Sequence, residues 1–184
     1  TRCLSDWSSD VCSSDLESFV FMPNHSSLFD IPVFLCGIGR KTSIIYKKEL
    51  EKVPIWGYAL KKSPFISINR ADAREAMGAM EEAARSLDED ASILIFPEGT
   101  RSEDGRLGEF KRGAFVMAGF TGKRIVPVTM IGTADILPKK KYYFRGGTVR
   151  MLVGCPREVP DKKDRLAEKA LVAALHEEIK NNLS

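Results

Sequence analysis

From Ser18 onward, short apolar and β-branched runs alternate with longer stretches in which apolar residues recur at helical spacing. The runs "SFVFM", "TSIIY", "FISIN", "SILIF", "IVPVTMI" and "VRMLVG" are bounded by Gly, Pro or polar residues, as short buried strands are. Between them the spacing predicts helices over Leu28 to Cys36, Glu49 to Lys61, Ala71 to Leu87, Lys111 to Phe120 and Asp164 to Leu183. The last has an N-cap at Asp161 or Asp164. Strands that alternate with helices predict an α/β fold: a single domain with a mixed, largely parallel sheet flanked by helices. No repeat and no linker divides the chain after residue 17.

Composition narrows this picture. A chain of 184 residues, 43% of them hydrophobic, fills one core and is too short for two ordinary domains. A net charge of +3 with both signs interspersed excludes a dedicated nucleic-acid binder. No apolar run reaches the roughly 18 to 20 residues that span a bilayer. The four cysteines form no CxxC pair and have no histidine at metal spacing, so neither a disulfide framework nor a metal site is expected, and a reducing compartment is the default. Residues 1–16, "TRCLSDWSSDVCSSDL", repeat Ser and Asp in a way unlike anything downstream. They read as an adapter-derived or disordered segment, which leaves residues 17–184 as an N-terminally truncated domain.

Three polar clusters follow strand candidates, where an α/β sheet places its ligand crevice. In "NHSSLFD", an Asp30 carboxylate accepting from one ring nitrogen of His25 would fix the tautomer and leave the other nitrogen to take a proton. No G-x-S-x-G elbow occurs anywhere, and Ser26 and Ser27 share the helix start with His25, so a nucleophile would have to come from the substrate. Spacing alone leaves a loop or capping histidine open. The second cluster, "SINR", ends at Arg70. The third, "FPEGTRS", sets a Pro97 and Gly99 turn between Glu98 and Arg101, a guanidinium suited to bidentate phosphate contacts, with a surface ion pair as the alternative. His176, beside Glu177 and Glu178, reads as a solvated position on the last helix.

Taken together, in this order, the clusters resemble the glycerolipid acyltransferase family that contains the 1-acyl-glycerol-3-phosphate acyltransferases. Its N-H-x-S-x-x-D motif is matched by Asn24, His25, Ser27 and Asp30, and its F-P-E-G-T-R-S motif by Phe96 to Ser102 without a change. Its lysine-containing block ending in I-D-R resembles "KKELEKVPIWGYALKKSPFISINR", with Asn69 in place of the acid, and its V-P-V strand is Val126 to Val128. The resemblance covers roughly Ser18 to Pro156.

What it implies is a glycerol-3-phosphate acyltransferase-like fold and transfer of a fatty acyl group from acyl-coenzyme A or acyl carrier protein to the free hydroxyl of 1-acyl-glycerol-3-phosphate, giving phosphatidic acid. His25 would be the base and Asp30 its orienter. Lys47, Arg70 and Arg101 would hold the acceptor phosphate, and Glu98 and Gly99 would shape its pocket. No cofactor and no metal would be needed. Other lysolipids or glycerol-3-phosphate are alternative acceptors; a lipid hydrolase and a non-catalytic phospholipid-binding module are the remaining readings.

The partners implied are a lysophospholipid, the acyl donor and, peripherally, the cytoplasmic face of the cell membrane, with no nucleic acid. Two stretches fit a membrane or donor contact: "VPIWGYAL" with Trp56, and "PKKKYYFR" with Lys139, Lys140, Lys141 and Tyr142. A packed helix competes for the first and a solvated loop or hairpin for the second.

Overall fold

In a computed structural model, the described residues are 17–52, 56–63, 65–68, 78, 81–82, 84, 90–139, 141 and 143–184. Residues 1–16, Arg70, Lys140, Tyr142 and most of the expected helix Ala71 to Leu87 lie outside them.

All six apolar runs contribute strands: β1 (Val20–Pro23), β2 (Thr42–Lys47), β3 (Ile66–Ile68), β4 (Ser92–Leu94), β5 (Ile125–Ile131) and β6 (Arg150–Val153). They form one sheet in the order β3-β2-β4-β1-β5-β6. Every pairing is parallel except that of β6, which runs antiparallel to β5. Helices among the described residues include α1 (Asp30–Ile38), α2 (Trp56–Lys62), α3 (Arg112–Thr121), the single turn α4 (Thr133–Ile136) and α5 (Arg165–Leu183).

Alternate residues of the strands point to opposite faces. Phe19, Phe21, Leu94, Val126 and Val128 meet Phe34 and Ile38 of α1 on one face. Val20, Met22, Ile93 and Ile125 meet Phe115, Met117 and Ala118 of α3 and Leu175 of α5 on the other. Cover on both faces explains why the strand runs are apolar throughout rather than alternating. It also positions the site. The chain leaving β1 turns to α1 on one face and the chain leaving the neighbouring β4 turns to α3 on the other, the reversal at which an α/β sheet places its ligand site, at the carboxyl ends of the strands.

Three expectations need correction. The stretch Glu49 to Lys61 is not one helix: a 3-10 turn covers Lys48–Lys52 and α2 begins only at Trp56. Gly57 then lies so close to the turn that a Cβ there would come within 2.0 Å of the Glu51 carbonyl oxygen. His176 is not on a solvated face: its Nε2 lies 3.1 Å from the carbonyl oxygen of Gly108, and its ring meets the edge of Phe110. Cys36 is free and exposed, but Cys155 is disulfide-bonded. The N-cap is Asp164, whose side chain accepts from the Ala167 N–H at 2.9 Å.

Candidate active site

Beyond Pro23 the backbone pairing of β1 with β5 ends, and the buried amide of Asn24 replaces it. Its Nδ2 donates to the Met130 carbonyl at 3.0 Å and its Oδ1 accepts from the Met130 N–H at 2.7 Å. That pair of hydrogen bonds pins the residue immediately before His25.

The imidazole is fixed on two sides. Nδ1 lies 2.9 Å from Oδ2 of Asp30, a residue wholly shielded from solvent. The same oxygen accepts from the N–H groups of Ser26 and Ser27, each at 2.9 Å. A carboxylate only accepts, so Nδ1 carries the hydrogen and Nε2 keeps its lone pair. Phe96 stacks on the ring with centroids 3.8 Å apart. The His25 side chain remains 13% exposed.

Both neighbouring hydroxyls have structural partners. Ser26 Oγ lies 3.1 Å from Thr133 Oγ1, while Ser27 Oγ donates to the Leu137 carbonyl at 2.7 Å and accepts from the Phe29 N–H at 3.0 Å. They join the histidine loop to the segment after β5.

The "FPEGTRS" loop is stitched to the backbone of His25. Glu98, only 5% exposed, accepts from the His25 N–H at 2.7 Å through Oε1 and from the Gly108 N–H at 2.8 Å through Oε2. Ser102 N–H donates to the His25 carbonyl at 2.8 Å. Gly99, at φ 71°, takes the left-handed conformation that the turn requires and that a side chain would resist. Burial pushes the Glu98 carboxyl above its usual range, against the pull of the two N–H bonds and of His25. Gly108 is held in turn by His176 of α5. A chain of contacts therefore runs from α5 through Gly108 and Glu98 to the His25 backbone.

Glu98→Gln tests this chain. An amide keeps the shape but turns an NH2 group toward one of two N–H donors, at an expected cost of about 1–3 kcal/mol. For a protein of this size that is a fall in Tm of about 2–12 °C, readable by calorimetry. The raised carboxyl also sets a sign. The folded state holds the Glu98 proton more tightly than the unfolded chain, so wild-type stability falls as pH rises from the ordinary carboxylate range through the raised one. Glu98→Gln lacks that fall, and its Tm deficit is expected to narrow over the same window.

His25, Asp30, Glu98, Gly99 and Arg101 are thus brought together at the ends of β1 and β4. Lys139 donates from Nζ to the Arg101 carbonyl at 2.7 Å and lies 3.4 Å from Glu103, which ties it to this loop. Lys47 ends β2, which is separated from β1 by β4 alone. Lys141 is exposed. The side chains of Lys47 and Trp56, and all of Arg70, Lys140 and Tyr142, are outside the described residues. Phe96, Thr133 and His176 support the site without having been marked by sequence reasoning. Phe96 at least sits inside the motif, whereas Thr133 and His176 meet partners 107 and 68 residues away, with no local signal.

A family model described as Acyltransferase matches residues 13–131. The chain is 37% identical over 145 residues to a chloroplastic 1-acyl-sn-glycerol-3-phosphate acyltransferase of Arabidopsis thaliana, covering 78% of this chain and 40% of that one. To the human 1-acyl-sn-glycerol-3-phosphate acyltransferase alpha it is 33% identical over 158 residues, covering 83% and 56%. The crystal structure of the 1-acyl-sn-glycerophosphate acyltransferase PlsC from Thermotoga maritima superimposes with a TM-score of 0.73 at 29% identity, over 90% of this chain and 65% of that one. The chain spans about half the length of the curated relatives it matches.

Proposed function

This chain belongs to the acyltransferase family, and on that premise we propose that it moves a fatty acyl group from a thioester to the free hydroxyl of 1-acyl-glycerol-3-phosphate. The observation that carries this reading is the His25 and Asp30 pair beside two serine hydroxyls already committed to structural bonds. Nε2 of His25 removes the acceptor hydroxyl proton as the oxygen attacks the thioester carbonyl. The carbon–sulfur bond then breaks, and the proton passes from His25 to the departing thiolate. Asp30 stabilises the imidazolium in between. Base catalysis of this kind contributes about 10²–10⁴-fold, and the thioester is reactive enough for no cofactor to be required.

Arg101, with Lys47 and Arg70, binds the acceptor phosphate. Glu98 and Gly99 set the loop that shapes its pocket. The donor is acyl-coenzyme A or acyl carrier protein. Both substrates carry acyl chains, so the enzyme works peripherally at a membrane, on its cytoplasmic face. No helix among the described residues is long and apolar enough to cross one.

The test is release of free thiol from the donor with and without lysophosphatidate, with phosphatidate identified as product. Release that requires the acceptor supports transfer; equal release without it means hydrolysis. Glycerol-3-phosphate as the preferred acceptor would move the assignment within the family. Arg101→Ala is expected to raise the acceptor KM about tenfold, the loss of one charge-assisted phosphate contact, with the donor KM unchanged. An effect confined to the donor would place Arg101 in the other pocket.

A further inference from the structure

Both oxygens of Glu98 are taken by N–H groups, and the Arg101 guanidinium has no hydrogen bond or ion pair among the described residues. The backbone of Arg101, by contrast, is gripped. Its carbonyl and the Ser102 N–H belong to one planar peptide group, so holding both ends fixes the plane. The N–H donates to the His25 carbonyl at 2.8 Å, and the carbonyl accepts from Lys139 Nζ at 2.7 Å.

The lysine side chain is only 19% exposed, and its base is anchored to the histidine loop. The neighbouring Leu137 carbonyl accepts from Ser27 Oγ at 2.7 Å, and the Leu137 N–H donates to the Thr133 carbonyl at 3.0 Å. The Lys141 N–H then closes a turn on the Pro138 carbonyl at 3.1 Å, with Lys139 inside it. The contacts form a closed circuit: from His25 through Ser27, Leu137 and Lys139 to the peptide between Arg101 and Ser102, and back to His25. A circuit fixes relative position in a way that an open chain does not, since opening one link lets the others pivot. The ammonium also polarises the peptide group whose N–H holds the His25 carbonyl, which strengthens that bond.

We propose that Lys139 is a positioning residue that determines specificity: by holding the Arg101 carbonyl it fixes the spacing between the Arg101 guanidinium and Nε2 of His25, and so selects which acceptor hydroxyl reaches the base. The inference rests on the reading of a glycerol acceptor whose phosphate lies on Arg101, and deepens it. On such an acceptor the hydroxyl of the middle carbon is one carbon nearer the phosphate than the hydroxyl of the far terminal carbon. A spacing that presents the first to Nε2 carries the second past it, and a misplacement of about 1 Å at the reacting atoms costs on the order of 10²-fold in rate. Lys139 acts through Arg101 and touches no reacting atom.

Two ether analogues, 1-alkyl- and 2-alkyl-glycerol-3-phosphate, test this, because each has one free hydroxyl and no ester that can migrate. Wild type is expected to prefer the 1-alkyl compound by about 10²-fold in kcat/KM. Lys139→Met keeps the reach of the side chain without its charge. Its kcat toward the 1-alkyl compound is expected to fall about 10–100-fold and its rate with the 2-alkyl compound to fall less, so that the preference narrows about tenfold. A general loss of stability would lower both rates alike. Lys139→Arg, which returns a cationic donor, is expected to recover the preference. Hydrogen exchange reads the grip itself: the Ser102 amide loses protection in the Met variant and keeps it in the Arg variant, while the amides of β5 stay protected in both. Unchanged Ser102 protection, an unchanged preference, or equal use of the two compounds by wild type overturns the proposal. A raised acceptor KM with kcat and preference unchanged also overturns it, by making Lys139 a phosphate ligand. Transfer by wild type to neither compound nor to lysophosphatidate overturns the reading of function along with it, so the two failures are told apart.

Discussion

Replacing His25 by Ala is expected to lower acceptor-dependent acyl transfer by about 10²–10⁴-fold, to the edge of detection, while the protein remains folded. The ring contributes the lone pair that takes the acceptor proton, and no other described side chain is held against Asp30 to replace it. Folding survives because the loop is built from backbone and neighbours. Asn24 fixes its entry on β5, Glu98 and Ser102 hold the His25 N–H and carbonyl, and Asp30 holds the next two N–H groups. All of these bonds are independent of the imidazole. Steady-state thiol release, with a thermal melt beside it, separates the two effects. Activity near wild type in the folded variant would remove His25 from the mechanism.

Asp30 is expected to show a different split. Its Oδ2 gathers three hydrogen bonds, while Oδ1 is buried with no hydrogen-bond partner among the described residues. Asp30→Asn can leave a carbonyl oxygen where Oδ2 stands and place its NH2 where Oδ1 stands, so the loop keeps its bonds but loses the charge that balances the imidazolium. The expected result is a fall in kcat of about 10²–10⁴-fold with little change in KM. Asp30→Ala removes the acceptor altogether and strands the Ser26 and Ser27 N–H groups, costing about 3 kcal/mol. That corresponds to a fall in Tm of about 6–12 °C. A variant pair equal in both stability and rate would mean that Asp30 supports the loop and does nothing more.

Much of this was legible in the chain. The six strands were marked by runs that are apolar throughout, because β1 and its neighbours are covered on both faces. The site was legible where its geometry is local: His25 and Asp30 are separated by a single turn, and the Glu98 to Arg101 loop follows directly on β4. It was not legible where residues meet across the fold. Nothing around Thr133 signals that its hydroxyl will find Ser26, and nothing around His176 that its ring will hold Gly108 rather than face water. Helical periodicity likewise ran through Glu49 to Lys61, where the described residues form a 3-10 turn and then a separate helix. Lys139 shows the same limit from the other side, since a basic cluster suggests a surface, whereas this lysine is spent on the Arg101 carbonyl.

The central claim is that the attacking hydroxyl belongs to the acceptor, so no acyl-enzyme forms. The most direct test is to mix the protein with acyl donor in the absence of any acceptor, follow thiol release through the first turnover, and weigh the intact protein. The account predicts no burst of thiol and an unchanged mass, with release beginning only on addition of lysophosphatidate. A stoichiometric burst, with a mass increase of one acyl group mapping to Ser26 or Ser27, would contradict it.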